Sequence, residues 1–104
     1  MSREIAKRVL RIERDALSSL INRIDSNFER VVNAIYNIEG RVIVTGMGKP
    51  GFIAQKISAT LSSTGTPSLY LHPAEALHGD LGRVTKDDLI LALSNSGETE
   101  EMVK

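Results

Sequence analysis

A chain of 104 residues, 41% hydrophobic and 25% charged, has the make-up of a folded globular protein and room for one domain or part of one. Thirteen Lys and Arg balance thirteen Asp and Glu, so no net field draws the chain to nucleic acid or an acidic membrane, and any bound anion must be held by local geometry. The lack of cysteine excludes a disulfide framework and a thiolate metal site.

The charges within Met1–Arg8 interrupt the apolar segment that a signal peptide needs, and no run reaches the roughly 18 apolar residues of a membrane helix. A cytoplasmic protein is expected. Ile5, Val9, Ile12, Ala16, Leu20 and Ile24 recur at spacings of three and four, which predicts a helix over 3–24. A second row at Leu10, Leu17 and Ile21 gives this helix two surfaces to cover, one of them suited to another subunit. Ser26-Asn27-Phe28-Glu29 fits a capping box, so a second helix should start near Asn27 and carry Phe28, Val31, Val32, Ile35 and Ile38. Gly40 is expected to end it in a left-handed conformation. Residues 1–39 are thus expected to be a helical segment for packing or oligomerisation, and 40–104 to carry the chemistry.

Val42-Ile43-Val44, β-branched without polar alternation, reads as a strand covered on both faces in a parallel sheet. It leads into Gly46-Met47-Gly48-Lys49-Pro50-Gly51 and a helix through Phe52, Ile53, Ile57 and Leu61, with Pro50 in the first turn. Leu69-Tyr70-Leu71 predicts a second strand, stopped by His72-Pro73, and Ala74 to His78 a short helix. After a turn at Thr85-Lys86-Asp87-Asp88, Leu89–Leu93 predicts a third strand, followed by Ser94-Asn95-Ser96-Gly97-Glu98-Thr99 and by a helix beginning in Glu100–Lys104. Alternating strands and helices predict an α/β fold, a three-layer α-β-α sandwich on a parallel sheet of flavodoxin or Rossmann type. Three strands make a thin sheet and the last helix has barely two turns, so the domain is expected to be incomplete, preceded by its N-terminal helices.

The two glycine-containing loops are the places for chemistry. Gly46-x-Gly48-x-x-Gly51 matches the dinucleotide fingerprint, but the second strand ends in Tyr70-Leu71-His72, without the acidic residue that holds a ribose. A Walker loop fails because Ile43 stands where its first glycine belongs and Pro50 follows Gly48-Lys49. Ser94-x-Ser96-Gly97-x-Thr99 gathers three hydroxyls between a buried strand and the expected helix start, which suits a phosphate monoester; a cap alone would need one of them. Lys49 on the first loop and Glu98, Glu100 and Glu101 on the second offer a charge stabiliser and a base, although first-turn glutamates also serve a helix dipole. His72, His78 and Asp80 lack any known zinc spacing, and an imidazole lining a sugar pocket fits them better than a metal.

Four blocks carry a resemblance: Val44-Thr45-Gly46-Met47-Gly48-Lys49; Ala59–Pro67; His72-Pro73-Ala74-Glu75-Ala76-Leu77-His78-Gly79-Asp80-Leu81-Gly82; and Ala92–Glu101. In this order they closely resemble the sugar isomerase (SIS) domain of arabinose-5-phosphate isomerases. The resemblance implies interconversion of D-arabinose 5-phosphate and D-ribulose 5-phosphate through an enediol, on the route to the Kdo sugar of lipopolysaccharide, without a cofactor. It implies that Ser94, Ser96 and Thr99 bind the phosphate with Ser63 and Thr64 nearby, that Gly46, Gly48 and Gly97 shape the loops, and that Lys49, His78 and Glu101 are catalytic, Glu101 as the base. It also implies a homo-oligomer, a dimer or tetramer, with pockets shared between subunits. Relatives commonly carry Ser and His where this chain has Pro50 and Phe52, and that departure favours a competing function, a non-catalytic phosphosugar sensor. A nucleotide-binding oxidoreductase is the third reading.

Overall fold

The structure, a computed structural model, describes residues 1–74, 80–94 and 101–103. The chain divides into two compact units, Met1–Asn33 and Ala34–Lys104.

The first unit holds helix α1 (Ser2–Ile21) and the start of helix α2 (Ser26–Asn37). The 3.6-residue periodicity forms α1 as expected, but it ends at Ile21, three residues short of the expected boundary. No residue of α1 is buried, and Ile5, Leu10, Leu17 and Ile21 are all more than half exposed. The cap of α2 differs from expectation by one residue. Asp25, not Ser26, takes the orphan amides, its Oδ1 accepting from Asn27 N at 3.0 Å and Phe28 N at 3.4 Å. A carboxylate is both a good acceptor and the charge that the positive end of a helix prefers, so it outcompetes the neighbouring hydroxyl.

The second unit is built on a sheet of order β2-β1-β3-β4, with β1 Val42–Gly46, β2 Ser68–Tyr70, β3 Leu89–Leu93 and β4 Glu101–Val103. The first three strands are parallel, and β1 in the centre is covered on both faces: Val42, Ile43 and Val44 have no exposed surface. Each contributes about 2 kcal/mol by leaving water. On one face Val42, Val44, Ala54 and Leu89 form a cluster joined by Ile35 of α2, by Ile38 just after it, and by Ile57 and Leu61 of helix α3 (Lys49–Ser63). On the other face Ile43, Leu71 and Ile90 pack with Leu69 and Val84, which follows a 3-10 turn at Asp80–Arg83.

The fully buried positions of α3 are small residues, Gly51, Ala54 and Ser58, with Ile57 and Leu61 partly buried beside them, while Phe52 and Ile53 are 70% and 57% exposed. Small side chains let the helix axis approach the sheet and leave room for a polar stitch. Ser68 Oγ donates to Val42 O at 2.8 Å, so Ser58 Oγ donates to Ser68 Oγ, also at 2.8 Å.

Two further expectations are corrected. Glu101–Val103 is a strand rather than the start of a helix, antiparallel to β3 with Leu89 opposite Val103 and Leu91 opposite Glu101. The outer edge of β3 presents unpaired backbone groups, and pairing with it satisfies several at once, whereas a single helical turn must be nucleated for one hydrogen bond. Gly40 does not adopt a positive φ. It is required by close approach, since a Cβ there would overlap the Asp88 carboxylate and lie 2.6 Å from the Asp87 carbonyl.

That contact belongs to the most connected polar group of the unit. Asp88, 2% exposed, accepts from Arg41 N at 2.7 Å and from Thr85 N at 2.8 Å, and the Arg41 guanidinium stands 3.5 Å away. Burial opposes ionisation of Asp88, but the two amides, the guanidinium and the Thr85 hydroxyl outweigh it and hold the carboxyl below the ordinary aspartate value. The side chain thereby ties the entrance of β1 to the entrance of β3.

Candidate functional site

Parallel pairing brings Gly46, the last residue of β1, opposite Leu93, the last of β3. The loops that begin at Met47 and Ser94 therefore leave neighbouring strand ends, about 5 Å apart. The chain passes from β1 to β2 on one side and returns to β3 on the other, so this crest is a topological switch point, the place where open α/β sheets hold ligands.

Each glycine of the first loop answers a local demand. Gly48, at the N-cap of α3, has φ 70°, which L side chains rarely adopt. At Gly51 a Cβ would lie 2.7 Å from the Gly46 carbonyl oxygen, and at Gly46 a Cβ would lie 2.9 Å from the Pro50 carbonyl. Strand end and helix start thus touch through bare backbone. Lys49 opens α3, exposed, with no ion pair to any described residue. A cation at a helix N-terminus works against the dipole, so helix stability does not account for it.

Of the residues expected in the site, the fold brings Gly46, Gly48, Lys49 and Ser94 to one crest. Ser63 and Thr64 are not brought there. They end α3, about 20 Å along the helix from Lys49, and their hydroxyls donate to the Thr60 carbonyl at 3.0 and 2.8 Å. A helix C-terminus repels anions, and the residues cap it instead. Glu101 lies on the edge strand, opposite Leu91 and two residues below the end of β3. His78, Ser96, Gly97 and Thr99 lie outside the described residues. Among the described residues no three His, Asp or Glu side chains converge to hold a metal ion, and no helix is long and apolar enough to cross a membrane.

Beside the crest, between the first loop and the end of β2, is a cavity of about 290 Å³ lined by Gly46, Gly51, Phe52, Gln55, Tyr70 and His72. His72 is the lining imidazole that the sequence suggests; its Nδ1 accepts from Ala74 N at 3.0 Å, which leaves the proton of the neutral ring on Nε2. Gln55 and Tyr70 are not among the expected site residues. Gln55 follows Gly51 by four residues and so shares its helix face, a signal present in the sequence. Tyr70 reads there only as a strand residue.

The sequence model of the SIS domain matches residues 34–104. The arabinose 5-phosphate isomerase KdsD of Pseudomonas aeruginosa is 55% identical over 98 residues, 94% of this chain and 30% of that protein. The arabinose 5-phosphate isomerase KpsF of Escherichia coli O6:H1 is 56% identical over 90 residues, 86% of this chain and 28% of that protein. The chain thus spans less than a third of these curated relatives. Among solved structures, an Escherichia coli CFT073 protein in complex with arabinose 5-phosphate superposes with a TM-score of 0.85 at 42% identity, over 91% of this chain and 50% of that one. The superposed α/β fold with its N-terminal helices and the match over residues 34–104 agree, and the chain belongs to the SIS domain family.

Proposed function

We propose that this chain supplies the phosphosugar-binding part of an isomerase that interconverts D-arabinose 5-phosphate and D-ribulose 5-phosphate in the cytoplasm, as a homo-oligomer and without a cofactor. The observation that carries the reading is the in-register pairing of Gly46 with Leu93, which sets the Lys49 loop and the Ser94 loop side by side at the switch point. The likeness to a protein solved with arabinose 5-phosphate supports it.

In this reading the phosphate is held by the Ser94, Ser96 and Thr99 hydroxyls and by loop amides around Gly97, with no need for net positive charge. Binding there positions the other end of the sugar for proton transfer. A base, assigned to Glu101, removes the C2 proton of the open-chain aldose; the C–H electrons form the C1–C2 double bond and the aldehyde oxygen becomes an enediolate. Lys49, and His78 as a proton shuttle between O1 and O2, stabilise that charge. Delivery of a proton to C1 by the base, after exchange with solvent, gives the ketose, so atoms balance without an oxidant. Residues 1–39 serve packing and assembly, and residues 40–104 form the first part of the SIS domain.

Incubation with D-arabinose 5-phosphate in heavy water, followed by NMR, tests the proposal: ribulose 5-phosphate with deuterium on C1 is expected, and absence of ketose overturns it. Phe52, 70% exposed at the cavity mouth, and Pro50 in the first turn of α3 favour a second reading, a phosphosugar sensor. Binding without conversion would select it.

A further inference from the structure

Resting on the reading just given, we infer that the cavity beside the crest receives the hydroxylated carbon chain of the sugar phosphate, with Gln55, Tyr70 and His72 as residues that set which sugar is accepted. The lining has the chemistry of a polyol site. Among the described residues the lining holds no carboxylate and no lysine or arginine, and three polar side chains stand with the Phe52 ring over a floor of glycine backbone. Neutral hydroxyls need partners that both donate and accept, which the Gln55 amide and the Tyr70 hydroxyl supply, while the His72 Nε2 proton adds a donor of fixed tautomer. Neither the Gln55 amide nor the Tyr70 hydroxyl is hydrogen-bonded to any described residue, and both line the cavity. The exposed Phe52 ring offers an apolar face for the C–H side of a sugar.

Size and position agree with this occupant. A cavity of about 290 Å³ is at the small end of ligand sites, suited to a pentose rather than a nucleotide. Gly46 and Gly48 line it and also begin the loop that carries Lys49, so a ligand whose phosphate sits on the crest enters the cavity with its carbon chain. Gly51 keeps the cavity open: a Cβ there would lie 3.2 Å from the Tyr70 hydroxyl.

The test is calorimetric titration of the purified protein and of the variants Gln55→Leu and His72→Phe with D-arabinose 5-phosphate and, separately, with inorganic phosphate. Both side chains are exposed, so the fold tolerates the changes, and unaltered circular dichroism and Tm confirm it. Each variant should bind the sugar phosphate about 3–10-fold more weakly while phosphate affinity stays within about twofold, because one hydrogen bond is lost. His72→Gln, which keeps a donor, should recover most of the loss. Sugar-phosphate affinity unchanged in both variants overturns the cavity assignment and leaves the crest intact. No binding of sugar phosphate by the unsubstituted protein overturns both.

Discussion

Replacing Asp88 with alanine should destabilise the second unit by about 3 kcal/mol. The substitution leaves the amides of Arg41 and Thr85, now bonded at 2.7 and 2.8 Å, without acceptors beside a side chain that is 2% exposed. An orphaned donor of this kind costs about 1–3 kcal/mol. The Arg41 guanidinium, whose side chain is 38% exposed, adds less than about 1 kcal/mol because solvent screens it. Release of a carboxylate from an unfavourable buried position offsets part of the loss. In a small domain such a change lowers Tm by roughly 12–24 °C. Asp88→Asn, which keeps one acceptor oxygen, should fall between the two. The pH dependence has a definite sign. The folded carboxyl is held below its ordinary value of about 3.9, so its contribution is complete above that value and is lost as pH falls through the folded one. Urea unfolding followed by circular dichroism, near neutral pH and then in steps into strong acid, measures both effects. An Asp88→Ala stability within about 0.5 kcal/mol of the parent, or a gap that stays constant on acidification, would refute this account of what joins β1 to β3.

Gly51→Ala should destabilise by about 1–3 kcal/mol, read as a Tm shift, because its methyl would meet the Gly46 carbonyl at 2.7 Å and force strand and helix apart. Lys49→Gln should lower kcat/KM for the proposed isomerisation by about 100-fold or more while Tm stays level or rises, since a cation is removed from a helix N-terminus. Ser63→Ala and Thr64→Ala should leave phosphosugar affinity within about twofold by calorimetry, because both hydroxyls face helix carbonyls at the opposite end of α3.

Much of the sheet is legible in the sequence because its signals are local. Val42-Ile43-Val44 is a run that only a doubly covered strand accommodates, and the structure leaves it no exposed surface. The glycines at 46, 48 and 51 announce a strand-to-helix turn by spacing alone. What escapes a reading of the sequence depends on partners far along the chain. Asp88 lies in a stretch that reads as a turn and is one, with Asp88 N bonded to Thr85 O at 3.1 Å, yet its main role is to bind Arg41, 47 residues earlier. Gly40 is needed for that contact rather than for a left-handed cap. The strand at Glu101–Val103 exists through an edge that β3 offers, which no local propensity reports. In α3 the large Phe52 and Ile53 stay exposed while the fully buried positions are the small Gly51, Ala54 and Ser58, a choice set by close approach to the sheet. Ser63 and Thr64 enter the expected site through likeness of sequence, which does not say at which end of a helix a residue falls.

The five-residue ladder from Val42–Leu89 to Gly46–Leu93 fixes the two points at which the crest loops leave the sheet, after Gly46 and after Leu93. Sliding either strand by one residue would exchange the side chains of its two covered faces, whose clusters differ, so the spacing of these exits is not tuned by small drift. A different fit at these exits is therefore expected from replacement of side chains around them, and not from movement of the frame beneath.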